Sequence, residues 1–320
     1  MLKTKAEFDD FYNRKLLGKF AEMEVERQKQ LNIFINRMLL TAFFIPLLML
    51  GCWMAFWGDM VKESETCLKF TTYGLFLYVA FTYFYCSSPI TNFIVDIKND
   101  VMEEFAGFWG DFTYANCLEI SSDVLLKSKV FPQYDSSMGD DFFCGVYNNT
   151  KTTIAEETLY KKVRTKNGST NVTVFKGVVI LLELNKKFEG QTVVVKDSGI
   201  FNIFKKVGRG ERIKLEDPVF EKQFEVFGDN QVEARYLLTT AFMERILQAQ
   251  KAFLGKTIQF GFFDNKLLIS IETKQNMFEI SSIFQRTTNR QMIDRSFEQF
   301  AAVMEIIDTL QLNKYIQFKR

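Results

Sequence analysis

Four groups of residues in this chain have the type and spacing to do chemistry. The first is Gly208-Arg209-Gly210, with Lys205 and Lys206 before it and Arg212 after it. Glycines beside positive charge cradle phosphate when they follow a strand and open a helix, because the anion then meets free N–H groups and the positive dipole end. Here the order is reversed. "GIFNIFKKVG" reads as a short amphipathic helix with Ile200, Ile203, Phe204 and Val207 on one side. Lys205 and Lys206 fall in its last turn and Gly208 at its stop, the pattern of an ordinary carboxyl-terminal cap. A phosphate there would face the negative dipole end, with only Arg209 and Arg212 to hold it. The stretch is therefore expected to join two parts of a fold.

The second group is Asp140-Asp141 and Glu156-Glu157, which a hairpin would bring together. Grouped carboxylates can hold a hard cation, but no EF-hand-like spacing is present, and solvated turn and strand charges are the expectation. The third is Lys161, Lys162, Arg164 and Lys166 in "LYKKVRTK", a basic hairpin tip able to contact anionic head groups where it faces a bilayer. The fourth, Glu233, Arg235, Tyr236, Glu244 and Arg245, lies on a helix over 230–250 and reads as ordinary surface pairing on a core helix.

Composition removes many mechanisms. The chain of 320 residues holds no histidine, so Ser-His-Asp and Cys-His nucleophiles and His-ligated zinc are excluded. Cys52, Cys67, Cys86, Cys117 and Cys144 never stand at C-x-x-C spacing and read as small apolar filler in a reducing compartment. A net charge of +1 gives no footprint for nucleic acid. No catalytic, cofactor-binding or metal-ligating residue is assigned, and no cofactor is expected.

The elements that must position these groups begin with two apolar runs. "MLLTAFFIPLLMLGCWMAFWG", residues 38–58, is uncharged and of the length that spans a bilayer, about 20 residues. A second charge-free run covers 70–95, its span placed at about 72–94. The loop between them is short, so a transmembrane hairpin over 38–95 is predicted. Arg27, Lys29 and Arg37 precede the first span, while the loop offsets Lys62 and Lys69 with Asp59, Glu63 and Glu65; the positive-inside rule then puts both termini in the cytoplasm.

Residues 1–37 carry the stripe Phe8, Tyr12, Leu16, Phe20, and the extension over 96–116 continues Ile94, Ile97, Val101, Phe105, Phe108, Phe112. Two such stripes leaving one end of a hairpin can pack as an antiparallel helix pair. From 117 to 320 the period changes. Hairpins are predicted about Asn148-Asn149 and Asp264-Asn265, a central buried strand in "NVTVFKGVVILLELN", and helices over 230–250 and 290–311. Asn230 with Glu233 has capping-box spacing. The fold class expected is α+β: a two-helix membrane hairpin with helical cytoplasmic extensions, then a mixed sheet-and-helix soluble domain.

The soluble part resembles the bacterial domain-of-unknown-function 3137 family. The likeness is carried by "ISSDVLLKSKVFPQYD", "TVFKGVVILLELNKKFEGQTVVV", "GRGERIKLEDPVFEKQFEVFGDNQVEARYLLTTAFMERI" and "IQFGFFDNKLLISIE", over roughly residues 92–311. The resemblance implies a membrane-anchored cytoplasmic domain of the bacterial inner membrane and brings no catalytic residues with it. Beside it the residues point to a non-enzymatic interaction or scaffolding module, with the lipid bilayer and either further copies of the chain or another membrane protein as partners. The alternatives are binding of anionic lipid head groups, or a carboxylate-based phosphoester or nucleotide enzyme.

Overall fold

The computed structural model describes residues 2–47, 49–51, 64–166, 168–184, 188–197, 209–252, 256–273, 276–280, 282–287 and 289–310. The helix read over 200–207 lies outside them. Two compact units are present: Tyr12–Val101 with Ile280–Arg290, which is helical, and Met1–Phe11, Met102–Glu279 and Gln291–Arg320, which holds the sheet.

The helical unit is built on α2 (Leu17–Leu39) and on the part of α3 (Ser64–Phe108) that belongs to it. π-helical turns at Tyr12–Leu16 and Leu40–Phe44 flank α2. The predicted stripe is buried at Tyr12, Leu16 and Phe20 on one side and Ile97 and Val101 on the other. One contact shows how sequence sets the pairing. Pro89 inside α3 has no N–H, which frees the carbonyl of Tyr85 one turn back. Arg37 donates to that carbonyl at 2.7 Å and lies over the Tyr85 ring at 4.5 Å. Tyr78 hydroxyl donates to the carbonyl of Thr41 at 2.6 Å, in the widened turn.

Among the described residues of the sheet unit, nine strands form one antiparallel sheet in the order β1-β2-β3-β4-β9-β8-β5-β7-β6. The strands are β1 Thr113–Asn116, β2 Ser136–Tyr147, β3 Thr150–Thr165, β4 Gly168–Glu183, β5 Thr192–Lys196, β6 Glu211–Ile213, β7 Phe224–Gly228, β8 Ile258–Phe263 and β9 Lys266–Glu272. The two predicted hairpins lie on either side of the helix read over 230–250 in sequence, and the pairing of β4 with β9 and of β5 with β8 merges the strands into one sheet. Both predicted hairpins close with two asparagine or aspartate residues at positive φ, Asn148 (48°) with Asn149 (64°) and Asp264 (45°) with Asn265 (58°). That is the backbone a two-residue turn needs to match strand twist.

One sheet face packs on α4 (Ser122–Ser128) and the loop after it, around Leu125, Val130, Phe131, Phe175 and Val193. Elsewhere in this unit α8 (Gln291–Leu310) sets Phe300 against Phe143 at 5.0 Å and Trp109 at 5.1 Å. Phe8 of α1 (Lys5–Phe11) stacks on Phe297 at 4.4 Å, so the first residues of the chain complete the core beside its last helix.

After α5 (Pro218–Glu221) the helix read over 230–250 divides. Asn230 caps α6 (Gln231–Leu237), its side chain accepting from the N–H groups of Val232 and Glu233. Leu238 leaves helical geometry, and Thr239 opens α7 (Thr240–Ala252) by accepting from the N–H of Phe242 at 3.3 Å.

Candidate functional site

The basic group lies on a β-ribbon. A register shift between Leu159 and Tyr160 leaves Val174 as an extra residue on β4, and past it β3 and β4 continue as a two-stranded arm to the turn after Thr165. Lys161, Lys162, Arg164 and Lys166 are all exposed on it, and no carboxylate occurs from Tyr160 to Thr173. Pairing divides its faces. Lys162 opposes Asn171 and Arg164 opposes Ser169 on one side, whereas Val163 opposes Thr170 and Lys161 opposes Val172 on the other. Asp135 ties down the base, accepting from the backbone N–H of Lys162 at 2.7 Å.

The carboxylates correct the expectation of solvated charge. Asp141, Glu156 and Glu157 are buried, and the oxygens of Asp140, Asp141 and Glu156 lie within 4.8 Å of one another. The irregularity in β2 between Gly139 and Phe142 carries the two aspartates opposite Glu156. Tyr114 donates to Asp141 at 2.7 Å, and burial beside that carboxylate raises the phenol's pKa. The N–H of Met277 donates to both oxygens of Glu156, at 3.2 and 3.0 Å. These groups are held by hydrogen bonds that link strands to the segment before α8. Glu157, one residue on, accepts instead from the N–H of Ile120 at 2.6 Å. Burial pushes its carboxyl up to about 7.

The glycine motif holds a different surprise. Arg209 is only 6% exposed. Its Nε donates to the carbonyl of Lys129 at 2.8 Å and its Nη2 to that of Val130 at 2.7 Å. Lys129 ends α4 in left-handed geometry, so the guanidinium satisfies acceptors just past a helix terminus. Gly210 follows at φ 88°, where an added Cβ would lie 2.5 Å from the carbonyl oxygen of Gly228. Both the conformation and the close approach require glycine, which makes this residue part of the fold.

Beside Arg209 a cleft of about 550 Å³ opens where β4, β9, β8 and β5 lie side by side. Val130, Phe131, Val174, Phe175 and Val195 give it apolar walls; Lys196, Asp197, Thr257, Gln259 and Glu272 give it a polar rim. No feature of the sequence identified this cleft, because its walls come from segments far apart in the chain. The only signal was a single arginine between glycines.

In the helical unit, large apolar side chains are exposed along both helices: Leu39, Phe43, Phe44 and Leu47 in the first, Leu75, Phe76, Val79 and Phe84 in the second. Among the described residues one helical stretch, Lys5–Gly51, is long and apolar enough to cross a membrane, with 6% of its most apolar window buried. The second run, read as a span from the same charge-free pattern, falls short of that hydropathy because Tyr73, Tyr78, Thr82, Tyr83 and Tyr85 interrupt its Phe and Leu.

Residues 173–312 match the family model described as "Protein of unknown function (DUF3137)". That region belongs to this family. The match begins at Thr173, after the ribbon's cations, and includes Arg209 and its cleft strands β5, β8 and β9. No curated protein matches the chain. Among solved structures, the crystal structure of the mycobacterial trehalose monomycolate transport factor A, TtfA, is similar with 10% identity and a TM-score of 0.32, over 66% of this chain and 95% of that one.

Proposed function

We propose that this chain is a membrane-anchored interaction module of the bacterial inner membrane, with both apolar runs in the bilayer and the sheet unit in the cytoplasm. The observation that carries this reading is the exposure of Phe43, Phe44, Leu47, Phe76 and Leu77 on helices joined by Arg37 and Tyr78. Side chains of this kind on a water-facing surface mark a contact with lipid or protein. A helix exposed to hydrocarbon also needs its backbone bonds satisfied, and the Arg37 bond to the carbonyl freed by Pro89 is of that kind. Further copies of the chain or another membrane protein are the partners this arrangement suits.

Membrane fractions from cells making the full chain, washed with alkaline carbonate, test the anchor. The chain is expected to stay with the membrane pellet, and its release into the wash would overturn the reading. Chemical crosslinking in those membranes then distinguishes a self-associated module from one bound to a different protein.

A second reading is favoured by the ribbon. An exposed arm with four cations and no carboxylate suits anionic head groups, each cation near the surface contributing about 1 kcal/mol. Such binding weakens as salt shortens the Debye length.

A further inference from the structure

We propose that the cleft beside Arg209 is a binding site for a small amphipathic monoanion, with one carboxylate or phosphate group against the guanidinium and a short hydrocarbon chain over Phe131, Phe175 and Val195. Arg209 is buried, and both acceptors it uses are neutral backbone carbonyls. Among the described residues no salt bridge joins a carboxylate to it, and its hydrogen bonds go to those two carbonyls. Buried guanidinium groups are ordinarily matched by an anion, because carbonyls solvate the charge without neutralising it. Burial holds this guanidinium below its ordinary pKa.

The cleft supplies the rest. Its volume of about 550 Å³ is in the range of small-molecule sites. Phe131 and Phe175 meet edge to face at 4.8 Å and form a rigid apolar floor. Lys196 adds a second cation at the rim, but Asp197 and Glu272 stand there too. With two cations and two carboxylates the lining is neutral as a whole, which disfavours a polyanion such as a nucleotide and leaves recognition of a single negative charge to the guanidinium itself. A fully apolar ligand would leave the guanidinium unmatched, and a bare anion would leave the floor uncovered. The site therefore selects a molecule with both parts. This inference does not depend on the membrane anchor or on the ribbon.

Isothermal titration calorimetry on the full chain in zwitterionic nanodiscs, with empty nanodiscs as the blank, tests it. The probes are octanoate, octyl methyl phosphate, octanol and inorganic phosphate. Octanoate or octyl methyl phosphate, each with one negative charge, is expected to bind saturably with one site per chain, and the stronger of the two identifies the head group. Octanol and inorganic phosphate are each expected to bind about tenfold or more weakly, since each forfeits one half of the recognition. Gln259→Glu, nearly isosteric, places a negative charge at the rim. It should abolish octanoate binding while the melting temperature holds. Octanoate binding no tighter than octanol, or unchanged in Gln259→Glu, would overturn the proposal.

Discussion

Among the described residues two arginines are buried, and they are matched in different ways. Arg27, on α2, donates from Nε and Nη2 to both oxygens of Glu24 at 2.9 and 2.7 Å, and from Nη1 to the carbonyl of Ile283. Glu24 in turn accepts from the N–H and hydroxyl of Thr287, so the pair fastens the 280–290 segment to the helix. Every part of that site is accounted for within the fold. Arg209 has two carbonyls and a cleft. The contrast separates a guanidinium that holds structure together from one that also faces space a ligand can enter.

The largest effect should come from breaking the complete site. Glu24→Ala strands the Arg27 charge and is expected to cost about 3–5 kcal/mol of stability, read by chemical unfolding of the full chain in nanodiscs. The same pair has a pH signature. Hydrogen bonding from Arg27, more than any other cause, holds Glu24 down at about 2 from an ordinary 4.5. Its contribution is present above pH 4.5 and is lost as pH falls toward about 2, and Glu24→Gln should flatten stability across that window.

Glu157 should behave oppositely. Its carboxyl is raised from 4.5 to about 7, mainly by burial. Stability from this group is complete below pH 4.5 and declines as pH rises through about 7. Glu157→Gln imitates the protonated form and keeps an acceptor for the N–H of Ile120. It is expected to raise stability above pH 7 by roughly 2–3 kcal/mol, measured as a shift in unfolding midpoint at pH 8. A destabilised variant would mean that the carboxylate has a cationic partner in the folded chain.

Arg209→Met sharpens the opening contrast. With no carboxylate left behind, the cost is confined to two carbonyls losing their donor, about 1–3 kcal/mol and less than Glu24→Ala. Smallest in stability is the ribbon. Replacing Lys161, Lys162, Arg164 and Lys166 together by Gln should change stability by less than about 0.5 kcal/mol, because all four are exposed. The same variant should lose binding to anionic vesicles at low salt, measured by co-sedimentation of nanodisc-held protein.

What the sequence made legible was local. Asn148-Asn149 and Asp264-Asn265 announced their turns because those side chains tolerate positive φ. Asn230 announced its cap, and the stripe from Phe8 to Phe20 announced a buried helix face. The missing pieces depend on distant partners. Arg209 is buried by carbonyls at 129 and 130, and no spacing rule connects residues so far apart. The burial of Asp141 and Glu156 follows from a strand irregularity and from Tyr114 and Met277 closing over them. The break at Leu238 depends on Thr239 winning a cap inside a stretch whose periodicity reads as continuous.

The two units differ in what they expose, the helical one Phe and Leu and the sheet unit's arm Lys and Arg, and that difference is the core of the proposed function. Spin labels on a cysteine-free background of the full chain in bilayers test it directly. Labels at Phe43→Cys and Phe76→Cys should collide with oxygen and be shielded from a water-soluble nickel chelate, while a label at Val163→Cys should show the reverse. Free access of the chelate to positions 43 and 76 would contradict the anchored account.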